Sequence, residues 1–589
     1  MKAIYNVKAL CLVVALGAAA SVHAQEDKSK EKELNREMTL EREYDPSVQD
    51  ASKVNTLPKI KEPVVKKMPI DYSTFAVPTD PQQELSLLGS GSVMTEIPYS
   101  KKRGYLNLGA GNYMNINGDL GYHILNTEKD KLNVFLSHRS TNGNIGYLQM
   151  DDKQKAKLNN NLGGINFSHE YEKLALKLGF GIDHSTFNYY GFVADLRLVD
   201  LDVMPLFDYD TNQANTKIGG MIGFESKGHG PFEYALDLDF KRFTNKYGMT
   251  RGLGGIAENT FGASFDLNSE FNGGMTIGLE GEVEYFNYGE TEPETTVPFE
   301  RNNHLESTLS PYLKMNGERW NLRLGANAMI ITGDEKKVFL SPNINFDVEL
   351  APKTVFYATA TGKVSANSAW EISSVNRYIN PDLILEASRT WLDGIAGVKS
   401  GAGPGFWFDV FGGYKITDNE HFFLPQVSMR TKFGNVSNVT YYNAKKFFGG
   451  ASLKYSYQQL FNISLKGVYN SWSVSEIERE EPAGESTITD IKAFGKPKAE
   501  LFGEISVVPM DNITLSMDYY LGTGRYTHAN GSNIKMDNIN ELNMKGTYQL
   551  NETFGAYIKF NNLLFRKYEL LYGYPQQGFN AMVGINLNF

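Results

Sequence analysis

The sequence predicts an all-β chain: a transmembrane antiparallel β-barrel of about 22 strands with a short N-terminal periplasmic arm. Three observations carry that expectation. Apolar and polar residues alternate at period 2 in segment after segment, short turns and longer loops take turns between those segments, and no stretch beyond the N-terminus approaches 18 apolar residues. The C-terminal end displays the alternation most plainly. Phe579, Ala581, Val583, Ile585, Leu587 and Phe589 share one face, while Asn580, Met582, Gly584, Asn586 and Asn588 share the other. The first face suits lipid and the second suits water.

Residues 1–24 read as a secretory signal. Lys2 and Lys8 supply the positive end, Ala9 to Ala20 the short apolar core, and Val22-His23-Ala24 the small-residue cleavage site. Cys11, the one cysteine, lies inside that segment, so the exported chain is expected to carry no disulfide, thiol nucleophile or thiolate metal site. Removing the two signal lysines takes the net charge from −10 to −12, with 56 basic residues against 68 acidic ones. That balance argues against nucleic acid as a partner.

Residues 25–102 differ from everything after them. Gln25 to Asp45 is dense in charge, and Pro58, Pro63, Pro69, Pro78 and Pro81 interrupt any regular element. This stretch is expected to be an extended periplasmic arm, either a solvated tail or a docking segment.

Residues 103–589 are expected to form the barrel. Phe232, Tyr234, Leu236, Leu238 and Phe240 oppose Glu233, Asp237, Asp239 and Lys241; Trp320, Leu322, Leu324 and Ile330 oppose Asn321, Arg323 and Asn327. Ile513, Leu515, Met517 and Tyr519 likewise oppose Thr514, Ser516 and Asp518. No helical period appears in this region. Short turns are expected at Asn272-Gly273-Gly274, Asn316-Gly317-Glu318, Gly401 to Pro404, Pro509 to Asn512 and Asn551-Glu552. Longer loops are expected near 185–213, 243–256, 287–302, 366–388, 418–443 and 474–495. Tyr285, Phe286, Tyr288, Tyr455, Tyr457, Tyr519 and Tyr520 read as interface girdles, although a sugar-stacking surface has the same composition.

No catalytic or cofactor constellation stands out. The nine histidines show no metal-ligand spacing, and Gly-Ala-Gly-Pro-Gly at 401–405 lacks the Lys-Ser/Thr and helix of a phosphate loop. The strongest constellation is electrostatic. Glu233, Asp237, Asp239, Asp266, Glu270, Glu280, Glu282, Glu284 and Glu306 fall on the polar parity of four consecutive strands. Together they would make an acidic sector of the lumen wall, either ordinary lumen polarity or a surface for a basic segment or cation. Lys59, Lys61, Lys66 and Lys67 form a basic stretch in the arm, a candidate to dock there. The chain from residue 59 to 103 reaches ~140 Å when extended, so distance is no obstacle.

The C-terminal end resembles the TonB-dependent receptor family. Asn562-Leu563-Leu564-Phe565-Arg566-Lys567-Tyr568, then Gly573-Tyr574-Pro575-Gln576-Gln577-Gly578, then the terminal strand follow that family's pattern. Phe565 stands where the family has a polar residue, and Phe579 where it usually has Arg. Asn380-Pro381-Asp382-Leu383-Ile384-Leu385-Glu386 is a second echo, departing at Ile384 and Leu385. The resemblance implies a wide outer-membrane barrel for binding or transport of a solute. It also implies a globular plug ahead of the barrel, but the charged, proline-broken front end is too short for one. The arm, the long loops or a partner would then have to fill the lumen. A second expectation is a non-transporting scaffold of an outer-membrane assembly, docking periplasmic or surface-lipoprotein partners.

Overall fold

A strand with one apolar and one polar face is stable only where each face meets its own solvent. A closed barrel in a bilayer provides this while leaving no unpaired edge. The computed structural model describes residues 102–589 except 149–150, 192–210, 228–229, 231, 250–253, 272–273, 290–302, 333–336, 383–384, 428–433, 459, 478–487, 489 and 530. The expected signal, the arm up to residue 101 and Lys59, Lys61, Lys66 and Lys67 lie outside the described residues, and so does the expectation of a missing plug.

The wall begins with β1 (Gly104–Gly111), β2 (Asn115–Asn126), β3 (Asp130–Gly146), β4 (Lys153–Glu170), β5 (Leu174–Asn188) and β6 (Asn212–Ser226). It continues through β7 (Phe232–Asn245), β8 (Ala257–Phe271), β9 (Met275–Tyr288), β10 (His304–Asn316), β11 (Trp320–Thr332), β12 (Lys337–Ala351) and β13 (Thr354–Ser365). Then come β14 (Ser388–Gly403), β15 (Phe406–Val427), β16 (Asn435–Tyr457), β17 (Phe461–Ser475), β18 (Ala499–Met510) and β19 (Ile513–Thr523). After a loop hairpin of β20 (Tyr526–Ala529) and β21 (Ser532–Lys535), the wall resumes with β22 (Ile539–Gln549) and β23 (Phe554–Asn561). A second loop hairpin, β24 (Glu569–Leu571) and β25 (Tyr574–Pro575), precedes the last wall strand, β26 (Asn580–Asn588). These make a 22-stranded antiparallel sheet, closed where Tyr105 to Gly111 of β1 pair with Asn588 to Met582 of β26.

Register carries the parity around the wall. Leu106 lies opposite Leu587 on one side and Leu120 on the other, and Leu108 lies opposite Ile585. Phe180, Leu238, Phe261, Val583 and Ile585 are all well exposed on this outer face. So much contiguous exposed apolar surface would be an aggregation site in water and is the lipid band of a membrane barrel. No helix among the described residues is long and apolar enough to cross a membrane; the chain crosses with strands.

Three expectations need correction. The region is not free of helix: α1 (Ala369–Val375) lies in the loop between β13 and β14. Residues 418–443 are not mainly loop, because β15 and β16 run on as strands of 22 and 23 residues and only 428–434 joins them. The aromatics divide as well. Tyr285, Tyr455, Tyr457 and Tyr519 have the outward parity of a girdle, but Phe286, Tyr288 and Tyr520 sit on inward positions, with Phe286 and Tyr520 buried. Adjacent strand residues point to opposite faces, so Tyr285 and Phe286, or Tyr519 and Tyr520, cannot share one.

Candidate functional site

Short turns occupy the end of the barrel that carries both β1's start and β26's end, so the opposite, long-loop end is extracellular. There the loops fold over the mouth. Ser368 begins α1 with a capping box: its Oγ accepts from the Glu371 amide, and the Glu371 carboxylate accepts from the Ser368 amide. The helix is fixed to the far wall by two side chains. Glu258, at the top of β8, accepts from the amides of Ala369 (2.6 Å) and Trp370 (3.1 Å). Lys217 of β6 donates from Nζ to the Trp370 carbonyl (3.1 Å) and to the Ser374 hydroxyl, and stands over the Trp370 ring. Ala369 and Ile372 then bury against Phe243, Ile256 and Ile379.

The chain leaving α1 crosses to β16. Ile379 bridges Ser437 in parallel, with the Asn380 amide bonded to the Ser437 carbonyl and the Ser437 amide to that of Tyr378. Tyr378 is the meeting point. It stacks on Tyr574 at 4.1 Å and meets Phe187, Tyr189 and Tyr190 edge-on. Tyr189 donates to the Ile379 carbonyl, Tyr190 to that of Pro575, and Tyr574 to that of Asn435, all within 2.9 Å. Val436, at the start of β16, packs with Phe187, Tyr189 and Met249. Segments following β5, β7, β13 and β23, together with the tip of β15–β16, thus converge from well-separated parts of the wall. They meet at the long-loop end of the barrel, and this loop cluster is called the lid below. Burial pushes the phenols of Tyr378 and Tyr574 up, so both remain neutral hydrogen-bonding groups.

Beneath the helix stands the acidic sector. The strands align its residues in three rungs. Asp239, Gly262, Glu284 and Glu306 form the upper one, Asp237, Ser264, Glu282 and Thr308 the middle, and Ala235, Asp266, Glu280 and Ser310 the lower. Glu233 lies opposite Asn268 and Glu270 opposite Thr276, both near the periplasmic turns and apart from the other seven. Two wall cations sit among the carboxylates. Lys241 contacts Glu284 at 3.1 Å and Asp239 at 3.3 Å. Arg323 pairs with Glu280 and lies 3.8 Å from the ring centre of Tyr312, whose hydroxyl donates to Asp266. The Tyr312 ring covers Gly278, where an added Cβ would fall 2.1 Å from the ring; only glycine allows that approach.

Glu306 is 8% exposed, and its Oε1 makes no hydrogen bond; His304 Nε2 is 3.7 Å away. Glu371 of α1 faces the same rung from above. Glu371 is exposed to solvent, yet the dense protein around it disfavours its charged form and raises its carboxyl above the usual range; the Glu284 carboxylate adds to the rise, and the Ser368 amide, Lys241 and Lys363 oppose it. Below lies an open depression of about 430 Å³ lined by Asp237, Ser264, Asp266, Glu280, Glu282 and Thr308. Among the described residues no group of acidic residues, histidines and cysteines is arranged to hold a metal ion.

Sequence reasoning missed Glu258, Lys217, Glu371 and Tyr378. The Ser368-x-x-Glu371 spacing was a legible signal for the helix start, and Glu258 shares the inward parity of Asp266 and Glu270. Nothing local marks Tyr378.

No protein-family model matches the chain, and no curated protein matches it. Solved structures do. "Copper transporter OprC" is 12% identical, covering 83% of this chain and 82% of that one, with a TM-score of 0.59. A ferric enterobactin receptor (PfeA) variant from Pseudomonas aeruginosa is 11% identical over 83% and 81% (TM-score 0.59). The pyoverdine outer membrane receptor FpvA of Pseudomonas aeruginosa PAO1 is 12% identical over 85% and 81% (TM-score 0.59). At such identities the likeness is one of fold. With its lipid band and closed 22-stranded wall, the chain is an outer-membrane β-barrel of the architecture seen in these receptors and transporters.

Proposed function

We propose that the protein binds or transports a solute across the outer membrane, through a barrel whose extracellular mouth is gated by its own loops. The observation that supports this most is the lid. Its segments are held by a few hydrogen bonds and one aromatic cluster rather than by a continuous sheet, a construction suited to opening. A charged wall lies directly beneath it. The fold likeness to receptors and transporters agrees with this reading.

Conductance of the purified full-length protein in planar bilayers tests it. Tyr378→Ala removes the stacking partner of Tyr574, and truncating this half-buried aromatic should cost less than the roughly 3–5 kcal/mol of a fully buried one. The variant should pass more current than the native protein. Equal, closed traces from both would defeat the gating reading. A second reading is a non-transporting scaffold docking periplasmic or surface-lipoprotein partners, and the packed loop cluster suits it too. It predicts closed traces throughout and a stoichiometric partner on purification from the native membrane.

A further inference from the structure

We propose that the outer wall of β3–β7, at the extracellular margin of the lipid band, is a binding site for the phosphate groups of a phosphorylated lipid of the outer leaflet. The site lies on the membrane side of the barrel and depends on neither the lumen nor the lid.

Parity sorts charge on this face. Toward the long-loop end of β4 the outward positions run Phe167, Ile165 and Gly163, then Asn161 and Asn159, then Lys157, Lys155 and Lys153. One strand face thus passes from apolar to amide to cationic. β7 repeats the order, with Leu238 and Phe240 followed outward by Arg242, Thr244 and then Lys246, whose amide bonds the Ala214 carbonyl. All five cations are exposed, and none makes an ion pair among the described residues. Arg242 donates to Asn259 at 2.8 Å, and Lys246 stands over the Tyr247 ring. Across the outward positions of β3–β8 the one carboxylate is Asp130, at the periplasmic-turn end, where it pairs with His169. Asp151 and Asp152 stand on the β3–β4 turn, and Asp152 accepts from the Lys153 amide at 2.7 Å. In a chain of net charge −10, such a face is a local reversal of sign.

Shape and depth name the occupant. Lys157 and Lys246, with β5 and β6 between them, both line a depression of about 460 Å³ whose outward lining includes Met114, Ile116, Asn159 and Thr186. Met114 and Ile116 are 65% and 50% exposed. Apolar and cationic groups in one outward hollow suit an amphiphile, with acyl chain on Ile116 and the lipid band and phosphate on the lysines. Gly163 lies between Leu136 and Ile182 in the apolar band. Lys157 stands six residues above it, roughly 15 Å along the axis of a tilted strand, which is headgroup depth for a band about 25 Å tall. A phosphate there meets charge-assisted donors. Each exposed contact is weak alone, but outward lysines on one strand lie about 7 Å apart, so a headgroup with two phosphates engages several together. The face looks into the leaflet rather than into bulk water, which favours a lipid over a free anion.

The test titrates full-length protein in dodecyl maltoside with bis-phosphorylated lipid A and reads bound lipid by native mass spectrometry. Lipid A should bind, and its dephosphorylated form should bind far less. Lys155→Gln, Lys157→Gln and Lys246→Gln combined should weaken lipid A binding at least about tenfold. Lys129→Gln, Lys173→Gln and Lys353→Gln combined remove the same charge from exposed positions on the periplasmic turns and should change it less than about twofold. Heat-modifiable migration verifies that both variants are folded. Unchanged affinity in the first variant, equal weakening in the second, or equal binding of the dephosphorylated lipid would each overturn the site. Inorganic phosphate in excess should displace little of the lipid. Complete displacement would make the hollow a free-anion site and overturn the lipid as its occupant.

Discussion

At the scale of single residues, the wall is a test of parity. Ile585 and Leu238 point outward and are well exposed, whereas Asn586 lies opposite Asn107 on the lumen side. Near the midplane, Ile585→Arg or Leu238→Arg should cost about 2–4 kcal/mol, because lipid offers the guanidinium no partner. Asn586→Arg should cost much less. Urea titration of the folded band in heat-modifiability gels compares them, and equal losses would reverse the assignment of faces. This level was largely legible in the sequence. Period-2 alternation sorts Leu238 from Asp237 without further information, since lipid and water impose opposite demands on adjacent residues. Where it misled was at the strand tops. Phe286 and Tyr520 are aromatics that face inward, because the lumen beneath the lid is itself partly apolar.

At the scale of elements, α1 shows why the lid was harder to read. Seven residues give too little periodicity to register, and a helix that short is not stable alone. It exists because Ser368 caps it, Glu258 receives its first amides, and Phe243 and Ile256 bury one side. Apart from the Ser368 cap, those contacts join positions more than 100 residues apart, which no local pattern encodes. Glu258→Ala should therefore loosen α1 specifically. Amide hydrogen exchange over 369–376 should accelerate while the wall strands stay protected, and uniform protection would mean that Glu258 is not the anchor. A pH dependence follows from Glu371. Its carboxyl is raised by the protein packed around it, with Glu284, Glu306 and Glu258 near it and Lys241 and Lys363 as the facing cations. The closed lid thus holds this proton more firmly than an open one. Closure is favoured at acidic pH and weakened as pH rises through the raised value. Single-channel open probability should increase from mildly acidic to mildly alkaline solution, and Glu371→Gln should flatten that rise. A native profile as flat as the variant's would remove Glu371 from the gate.

At the scale of the whole molecule, closure of β26 on β1 leaves no edge, so the wall is a continuous hydrogen-bonded ring. The strand number, the alternating turns and the barrel class were all readable because each repeats many times along the chain. What fills the outer mouth was not, since it depends on which loops meet. The long β15–β16 pair was mistaken for loop because its upper part packs against other loops instead of alternating between lipid and water.

The bridge between Ile379 and Ser437 has a kinetic consequence. It makes the β13–β14 loop and the β15–β16 tip partners in one motion, and the Tyr378–Tyr574 stack adds the loop before β26. None of these pieces can leave without stripping contacts from the others. Partial departures should therefore be short-lived, and current through the native protein should step between two levels, with dwell times set by a single barrier and few intermediate conductances.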